Sequence, residues 1–456
     1  MKINGQPEKE KRNLMKIRLT ILFLIFALNI FGQIQPPKTP TIQNFEPIVP
    51  GQSYPNQNQN PNTNRKPTGT ELYEKDKQEQ QRKQQQLNNI YRELDENNVN
   101  NISYSLPSCA SVKGATSYQT AFSEIMKMAE TQNEFSIAKA NFIVENAYYE
   151  NTGNYQNFER TINEIGQFLN WKMQEYGLDS TDNLAKNMLL FRFFTDTLEI
   201  KSKNLKHYPF TYDFEDYSGK EDWTKMFVSK ALMTNSGQCH SLPLLYLILA
   251  EKIGAEAQLA YSPRHTYIKF KDNTGKWYNV ELTNGMMTTD AFILQSGYIK
   301  SETLRNKIYM QPLNENQLLS LMLFDLAKGY TVKYCYDEFV GKVIEEALRL
   351  DSTNIVAQAL KSDYLTIKFD YISQQLGITE QNYMQKIAQY PKAKQAFIAR
   401  NKQYDKMDNL GYQEMPADAY EKWLNSLNEA HQKQQSEQIF IDINKKIEIK
   451  NIELRK

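Results

Sequence analysis

Three residues in one part of the chain have side chains that could carry out thiol chemistry: Cys239, His265 and Glu281. A thiolate can attack an amide carbonyl, and an imidazolium can return a proton to the leaving amine. A carboxylate can fix the imidazole tautomer and stabilise its charged form. These residue types predict a nucleophile, a base and an orienting acid, provided that the fold brings the three side chains together.

Cys239 is predicted to lie at the start of a helix. Apolar residues follow it at the spacing of one helical face: Leu242, Leu245, Tyr246 and Leu249. Gly254 is typical of a helix end, and Pro243, tolerated only in a first turn, places the helix start near residues 239–241. The free N–H groups and the positive dipole end of a helix favour a thiolate. A structural thiol and a disulfide partner are the alternative interpretations.

His265 and Glu281 belong to two stretches that alternate as strands do, "HTYIKF" and "WYNVELT", joined by the turn "DNTGK". The five-residue loop would pair Lys271 with Trp277 and make Glu281 a diagonal neighbour of His265 on the same face. A loop of even length would separate them. A strand histidine with a purely structural role is the alternative for His265, and Asn279 is the alternative orienting residue.

The pattern "GQC…L…A…IGA", then "H…Y", then "W…VE.T", resembles the transglutaminase-like core of the papain-like cysteine superfamily. In that family a Gly-x-Cys begins a helix with a Leu-rich face, and the acid lies in a motif of the type Trp-x-x-Val-Asp-x-Thr. Trp277, Val280 and Thr283 match that motif. Glu281 takes the place of the Asp, and Leu282 replaces the usual Pro.

This resemblance covers residues 206–300 and is nearest to a bacterial subfamily with trailing tetratricopeptide helices. It implies an α+β fold: a mostly helical chain whose central core packs the helix that carries the cysteine on a small antiparallel sheet. It also implies a catalytic triad of Cys239, His265 and Glu281, with no metal ion or organic cofactor. The superfamily includes cross-linkers, peptidases, amide hydrolases and inactive binding modules.

Three neighbouring groups could support the site. The backbone N–H of Cys239 is a candidate oxyanion donor because a helix N-terminus leaves it free. The indole N–H of Trp223 could serve as an upstream aromatic does in relatives, although a core tryptophan is the alternative, and Gln238 is a further candidate. His240 adjoins Cys239, but as its neighbour on a helix it should point elsewhere.

Composition divides the chain into six parts. They are a signal peptide at 1–33, a disordered Pro/Gln/Asn-rich linker at 34–70, a helical lead-in at 71–205, the core at 206–312, a helical tetratricopeptide-like region at 313–438 and a tail at 439–456. In the helical region only residues 321–354 fit a helix–turn–helix repeat, so these helices are predicted to pack on the core, where they could bind a protein partner.

The N-terminus predicts export. The apolar run from Leu19 to Phe31 follows a short basic region and is too short for a typical membrane span, as in a signal peptide. Met15 is the expected true start, and an uncleaved anchor is the alternative. The prediction is therefore a periplasmic, secreted or cell-surface protein with no stable membrane span after cleavage.

The cysteine and histidine content limits which disulfide and which metal site the chain could form. The chain has three cysteines, an odd number, so at least one thiol is free or pairs between chains. Cys109 and Cys335 are the expected disulfide if the fold brings them within reach, and a core thiol is the alternative for Cys335. The four histidines show no spacing typical of structural zinc.

Two functions are consistent with these observations. The first is an exported thiol-dependent amide acyl-transferase or hydrolase, peptidase-like or transglutaminase-like, that acts on protein or peptide substrates. The second is a catalytically inactive module that binds a peptide or protein, and a Cys239 sealed under the helical lead-in would favour it. A formal net charge of +1 implies no bulk attraction to nucleic acid or to an anionic membrane.

Overall fold

The structure, a computed structural model, describes Gln85, residues 102–131, residues 135–427 and Glu429. The predicted signal peptide, linker and tail lie outside these residues, as does most of the first part of the lead-in. Across the described ranges, no helix has both the length and the apolar character needed to cross a bilayer.

From residue 102 onward, the described part of the lead-in contains four helices, α1 to α4: Ala115–Glu130, Ile137–Tyr148, Tyr155–Glu175 and Asn183–Thr195. The side chains of Ser136, Asn154 and Asp182 accept backbone N–H groups at the starts of α2, α3 and α4. The predicted helical region does not stay helical to residue 205, because β1 (Leu198–Ile200) and β2 (Leu205–His207) form a hairpin.

The centre of the chain mixes short strands and helices. Strand β3 (Thr211–Tyr212) lies parallel to β4 (Ser236–Gly237), with α5 (Val228–Thr234) between them in sequence. Helix α6 (Ser241–Ile253) follows, and an antiparallel sheet in the order β5-β6-β7-β8 comes next. Its strands are Gln258–Ser262, His265–Lys271, Trp277–Glu281 and Met286–Thr288. The coarse prediction of a mostly helical α+β fold with a small antiparallel sheet is confirmed.

Helix α6 begins and ends where the sequence predicts. Pro243 lies in its first turn, and Gly254 ends it with a φ of 63° in the left-handed region, which glycine adopts readily. Only one apolar face was expected, yet every residue from 241 to 250 is buried. A helix that is apolar on all sides belongs in the interior, and α6 packs against α3, α4, α5 and the sheet.

The sheet has the register that an odd loop requires. Lys271 pairs with Trp277 and Ile268 with Val280 across β6 and β7. At the other edge, the backbone N–H groups of Met310 and Leu313 donate to the carbonyls of Tyr261 and Leu259 in β5, so this edge strand is covered.

The rest of the described chain is helical. Helices α7 to α13 are Asp290–Leu294, Ser301–Arg305, Glu315–Lys333, Glu338–Leu350, Ile355–Leu376, Tyr383–Gln389 and Pro391–Leu410, and α14 spans 417–427. Helices α9 and α10 correspond to the repeat-like unit at 321–354. The lead-in, the centre and these helices share one hydrophobic core, and a disulfide between Cys109 and Cys335 joins the first to the last.

Candidate active site

Cys239 lies just before α6, where the chain passes from β4 into the helix. The Thr266 hydroxyl of β6 donates to the Cys239 carbonyl, and the Gln238 backbone N–H donates to Ser241 Oγ at 2.9 Å. A Cβ atom at Gly237 would lie only 2.7 Å from that Oγ, so the close turn into the helix requires glycine. The thiol is free and partly buried.

His265 and Glu281 form a buried pair on neighbouring strands. His265 Nε2 lies 2.7 Å from Glu281 Oε2, and the two side chains are 0% and 1% exposed. The second carboxylate oxygen, Oε1, accepts the backbone N–H of Thr283 at 3.0 Å. A carboxylate with both oxygens in use fixes its own position and the tautomer of the imidazole that it contacts.

The other imidazole nitrogen faces the thiol through a tyrosine. His265 Nδ1 lies 3.4 Å from the Tyr420 hydroxyl, and that hydroxyl donates to Cys239 Sγ at 3.5 Å. The structure therefore brings Cys239, His265 and Glu281 together, with the Tyr420 hydroxyl of α14 in contact with both the thiol and the imidazole.

The electrostatics favour a charged pair. Burial opposes the imidazolium, but the Glu281 charge and hydrogen bonds to Cys239 and Glu281 outweigh it and raise the pKa of His265 to about 10. Burial likewise opposes the thiolate, but the hydrogen bond and charge of His265, with a hydrogen bond from Tyr420, hold the pKa of Cys239 below its usual value. A thiolate next to an imidazolium is the reactive form of such a site.

The alternative orienting residue is engaged elsewhere. Asn279 Nδ2 donates to Asp290 Oδ1 at 2.8 Å, and the same oxygen accepts Lys269 Nζ at 2.8 Å. Asn279 therefore supports an ion pair on the sheet, and the carboxylate in contact with His265 is that of Glu281.

The residues next to the thiol also have other partners. His240 Nε2 lies 3.1 Å from Asp325 Oδ2 in α9, which agrees with the expectation that it points elsewhere. Burial opposes its charge, but Asp325 raises the pKa of His240. Gln238 Nε2 donates to the Asp216 carbonyl at 2.8 Å. The indole nitrogen of Trp223 is buried and lies against Gly329 of α9.

Two aromatic residues from α14 and one from β3 complete the site, and sequence reasoning missed all three. Tyr420 contacts the thiol, and the Trp423 ring meets the His265 ring edge-on at 4.8 Å between centroids. Tyr212, in β3, pairs with Gly237 in β4. Its buried hydroxyl lies beside Cys239 and Tyr420. Within the described ranges this hydroxyl forms no hydrogen bond of normal geometry.

The residues that cover Cys239 and His265 come from α14, whereas a cover formed by the helical lead-in was the arrangement that would have favoured the binding module. Two donors remain beside the thiol: the Tyr212 hydroxyl and the Cys239 backbone N–H, which forms no backbone hydrogen bond in the described part of the chain. Among the described residues, no group of three or more His, Cys, Asp or Glu side chains is placed to hold a metal ion.

Comparisons with known proteins do not add a family to this geometry. No protein-family model, no curated protein and no solved structure matches the chain.

Proposed function

We propose that this protein is a thiol-dependent acyl-transferase or amide hydrolase with a transglutaminase-like core. The observation that carries the proposal is the 2.7 Å contact between His265 Nε2 and Glu281 Oε2. It leaves the second imidazole nitrogen, Nδ1, on the side of a thiol that lies at a helix start. The arrangement of a cysteine before a buried helix, with a histidine and an acid on adjacent antiparallel strands, supports the resemblance on which the proposal also rests.

In the first step, the Cys239 thiolate attacks the carbonyl carbon of a protein or peptide amide. The C–N bond breaks, and the leaving amine takes a proton from His265 Nδ1, which leaves a thioester and a neutral imidazole. Water or a second amine then attacks the thioester and gives its proton to His265. Cys239 leaves as the thiolate, and the starting ion pair is restored.

The developing oxyanion needs donors on the side of the thiol that faces the substrate. Within the part of the chain that the structure describes, the Cys239 backbone N–H has no backbone acceptor and the Tyr212 hydroxyl no acceptor in normal geometry, so both are available as donors beside Sγ. Donors that are already in place stabilise the oxyanion without reorganisation. Tyr212 thus takes the role for which Trp223 was one candidate.

The proposed location is outside the cytoplasm, in the periplasm or at the cell surface. The Cys109–Cys335 disulfide supports it, because disulfides persist in oxidising compartments and are rare in the cytosol. Substrates and any partner of the C-terminal helices would then be proteins or peptides in that compartment.

Alkylation of Cys239 by iodoacetamide tests the proposal. The chain has three cysteines and two form the disulfide, so only Cys239 should react without reduction. Half-maximal reactivity is expected clearly below the free-thiol value of about 8.5. Cys239→Ala should abolish labelling. A midpoint at the free-thiol value, or labelling that persists in Cys239→Ala, would contradict the proposal.

The alternative function is a non-catalytic interaction module. The observation in its favour is that Tyr420 and Trp423 fill the space above the thiol and the imidazole, with the His265 side chain fully buried. A module would not turn over an ester or amide even after α14 is displaced. Hydrolysis of 4-nitrophenyl acetate by a variant with a loosened α14 therefore separates the two functions.

A further inference from the structure

The segment at 412–427, here called the strap, runs back over the candidate site after α13 ends at Leu410 and is capped by Gly411. Its inward residues are large and buried: Met415, Tyr420, Trp423, Leu424 and Leu427. The last four recur at the spacing of one helical face, and the side chains of Asp418 and Lys422 on the outer face are 71% and 80% exposed. The strap is thus an amphipathic segment with its apolar face on the site.

The strap occupies the position that a substrate must take. The Tyr420 hydroxyl lies 3.5 Å from Cys239 Sγ, and a reacting carbonyl must approach a nucleophile to about 3–3.5 Å. The same hydroxyl lies 3.4 Å from His265 Nδ1, the nitrogen that must reach the leaving amine. A substrate amide and Tyr420 cannot both occupy this space.

From this overlap we infer that the strap is an autoinhibitory segment, which blocks Cys239 and must leave the cleft before any acyl transfer. The inference concerns the regulation of the proposed catalytic site and rests on that proposed function. A peptide or protein that competes for the same apolar groove would release the thiol.

The polar contacts that hold the strap in place are weak enough for the contacts of a binding partner to replace them. Arg264 pairs with Glu414 at 3.3 Å, with side chains 40% and 56% exposed, and the Tyr217 hydroxyl donates to Glu421 at 3.0 Å. Exposed pairs of this type stabilise little. One buried hydrogen bond, from Asn284 Nδ2 to the Leu427 carbonyl at 2.7 Å, holds the far end. Burial of apolar side chains provides the rest of the stabilisation of the strap on the site. A partner with a similar apolar face can replace the strap there.

The test compares the rate of Cys239 alkylation by iodoacetamide at pH 7 in full-length variants. Trp423→Ala removes the ring that covers His265 and should raise the rate at least tenfold. Lys422→Ala, on the outer face of the same segment, is the matched control and should leave the rate unchanged. A rate in Trp423→Ala equal to that of the wild type would overturn the inference.

A synthetic peptide of residues 412–427 controls for damage to the fold. Added to the Trp423→Ala variant, it should slow alkylation again, whereas a peptide with alanine in place of Tyr420 and Trp423 should not. If neither peptide protects the thiol, the faster alkylation reflects a disturbed fold and the inference fails.

The failure of this inference is distinguishable from the failure of the proposed function. Faster alkylation with no hydrolysis of 4-nitrophenyl acetate in Trp423→Ala would retain the blocking strap and reject the enzyme. A low thiol pKa and ester hydrolysis in the wild type, with no acceleration in Trp423→Ala, would retain the enzyme and reject the strap.

Discussion

The floor and the cover of the candidate site are built in different ways. The floor comes from α6, β6 and β7, and its polar atoms are held by short hydrogen bonds, such as those to both oxygens of Glu281. The cover is the strap, which is held mainly by apolar side chains, one exposed ion pair and one exposed hydrogen bond to a carboxylate. The difference indicates that the charged groups that set the reactivity of the thiol lie mainly in the floor, whereas access to the thiol depends on the strap.

The largest effect on this comparison is expected from removal of the base. His265→Ala takes away the positive charge that lowers the pKa of Cys239, so the alkylation midpoint should rise toward about 8.5. Ester hydrolysis in the Trp423→Ala background should fall at least about 10⁴-fold. His240→Ala is the matched control, because the partner of His240 is Asp325 and its charge lowers the pKa of Cys239 less than that of His265 does, so both effects should be much smaller. A similar loss in both variants would mean that the floor has been misassigned.

The next largest effect is expected from Glu281→Gln. The amide keeps the shape but not the charge that raises the pKa of His265 to about 10, so that pKa should fall and less imidazolium should be present at neutral pH. Ester hydrolysis should fall by about 10⁴-fold. An NMR titration of His265 measures the shift. Asp290→Asn removes a carboxylate outside the triad, and hydrolysis should survive it.

A smaller effect is expected from Tyr212→Phe, which removes one oxyanion donor and leaves the ion pair intact. In the Trp423→Ala background, the burst of 4-nitrophenol should slow by about 10²-fold. The pH midpoint of Cys239 alkylation should stay near that of Trp423→Ala alone. Tyr261→Phe is the control, because it also removes a buried hydroxyl that has no hydrogen-bond partner among the described residues. A burst rate that is the same with and without the Tyr212→Phe change would exclude Tyr212 as an oxyanion donor.

No effect on the chemistry is expected from the double variant Cys109→Ser/Cys335→Ser. The disulfide closes a loop of 226 residues, so its loss should lower the free energy of unfolding by about 2–4 kcal/mol. Denaturant unfolding measures this change, and the alkylation midpoint of Cys239 should stay the same. A shifted midpoint would show that the reactivity of Cys239 depends on the disulfide and on the helices that it joins.

The floor could be predicted from sequence because its signals are local. Pro243 and Gly254 define α6, and the length of one loop sets the register that places Glu281 near His265. The complete burial of α6 was underestimated, because the lead-in helices α3 and α4, together with α5, cover faces of α6 outside the predicted apolar stripe.

The cover could not be predicted in this way. Tyr420 meets a thiol that lies 181 residues before it, and no periodicity within α14 tells which surface its apolar face will meet. Tyr212 belongs to a strand of two residues, which is too short for any alternating pattern. Contacts of this range depend on the assembled fold.

The hydrogen bond from the Thr266 hydroxyl to the Cys239 carbonyl has a consequence for motion. Thr266 directly follows His265, so one peptide unit carries the imidazole and also holds the backbone of the thiol. When the sheet shifts relative to α6, nucleophile and base should move together, and their separation should fluctuate less than that of the elements around them. Since a displacement of about 1 Å can cost about 10²-fold in rate, this dipeptide would keep the reacting groups aligned while the rest of the cleft opens.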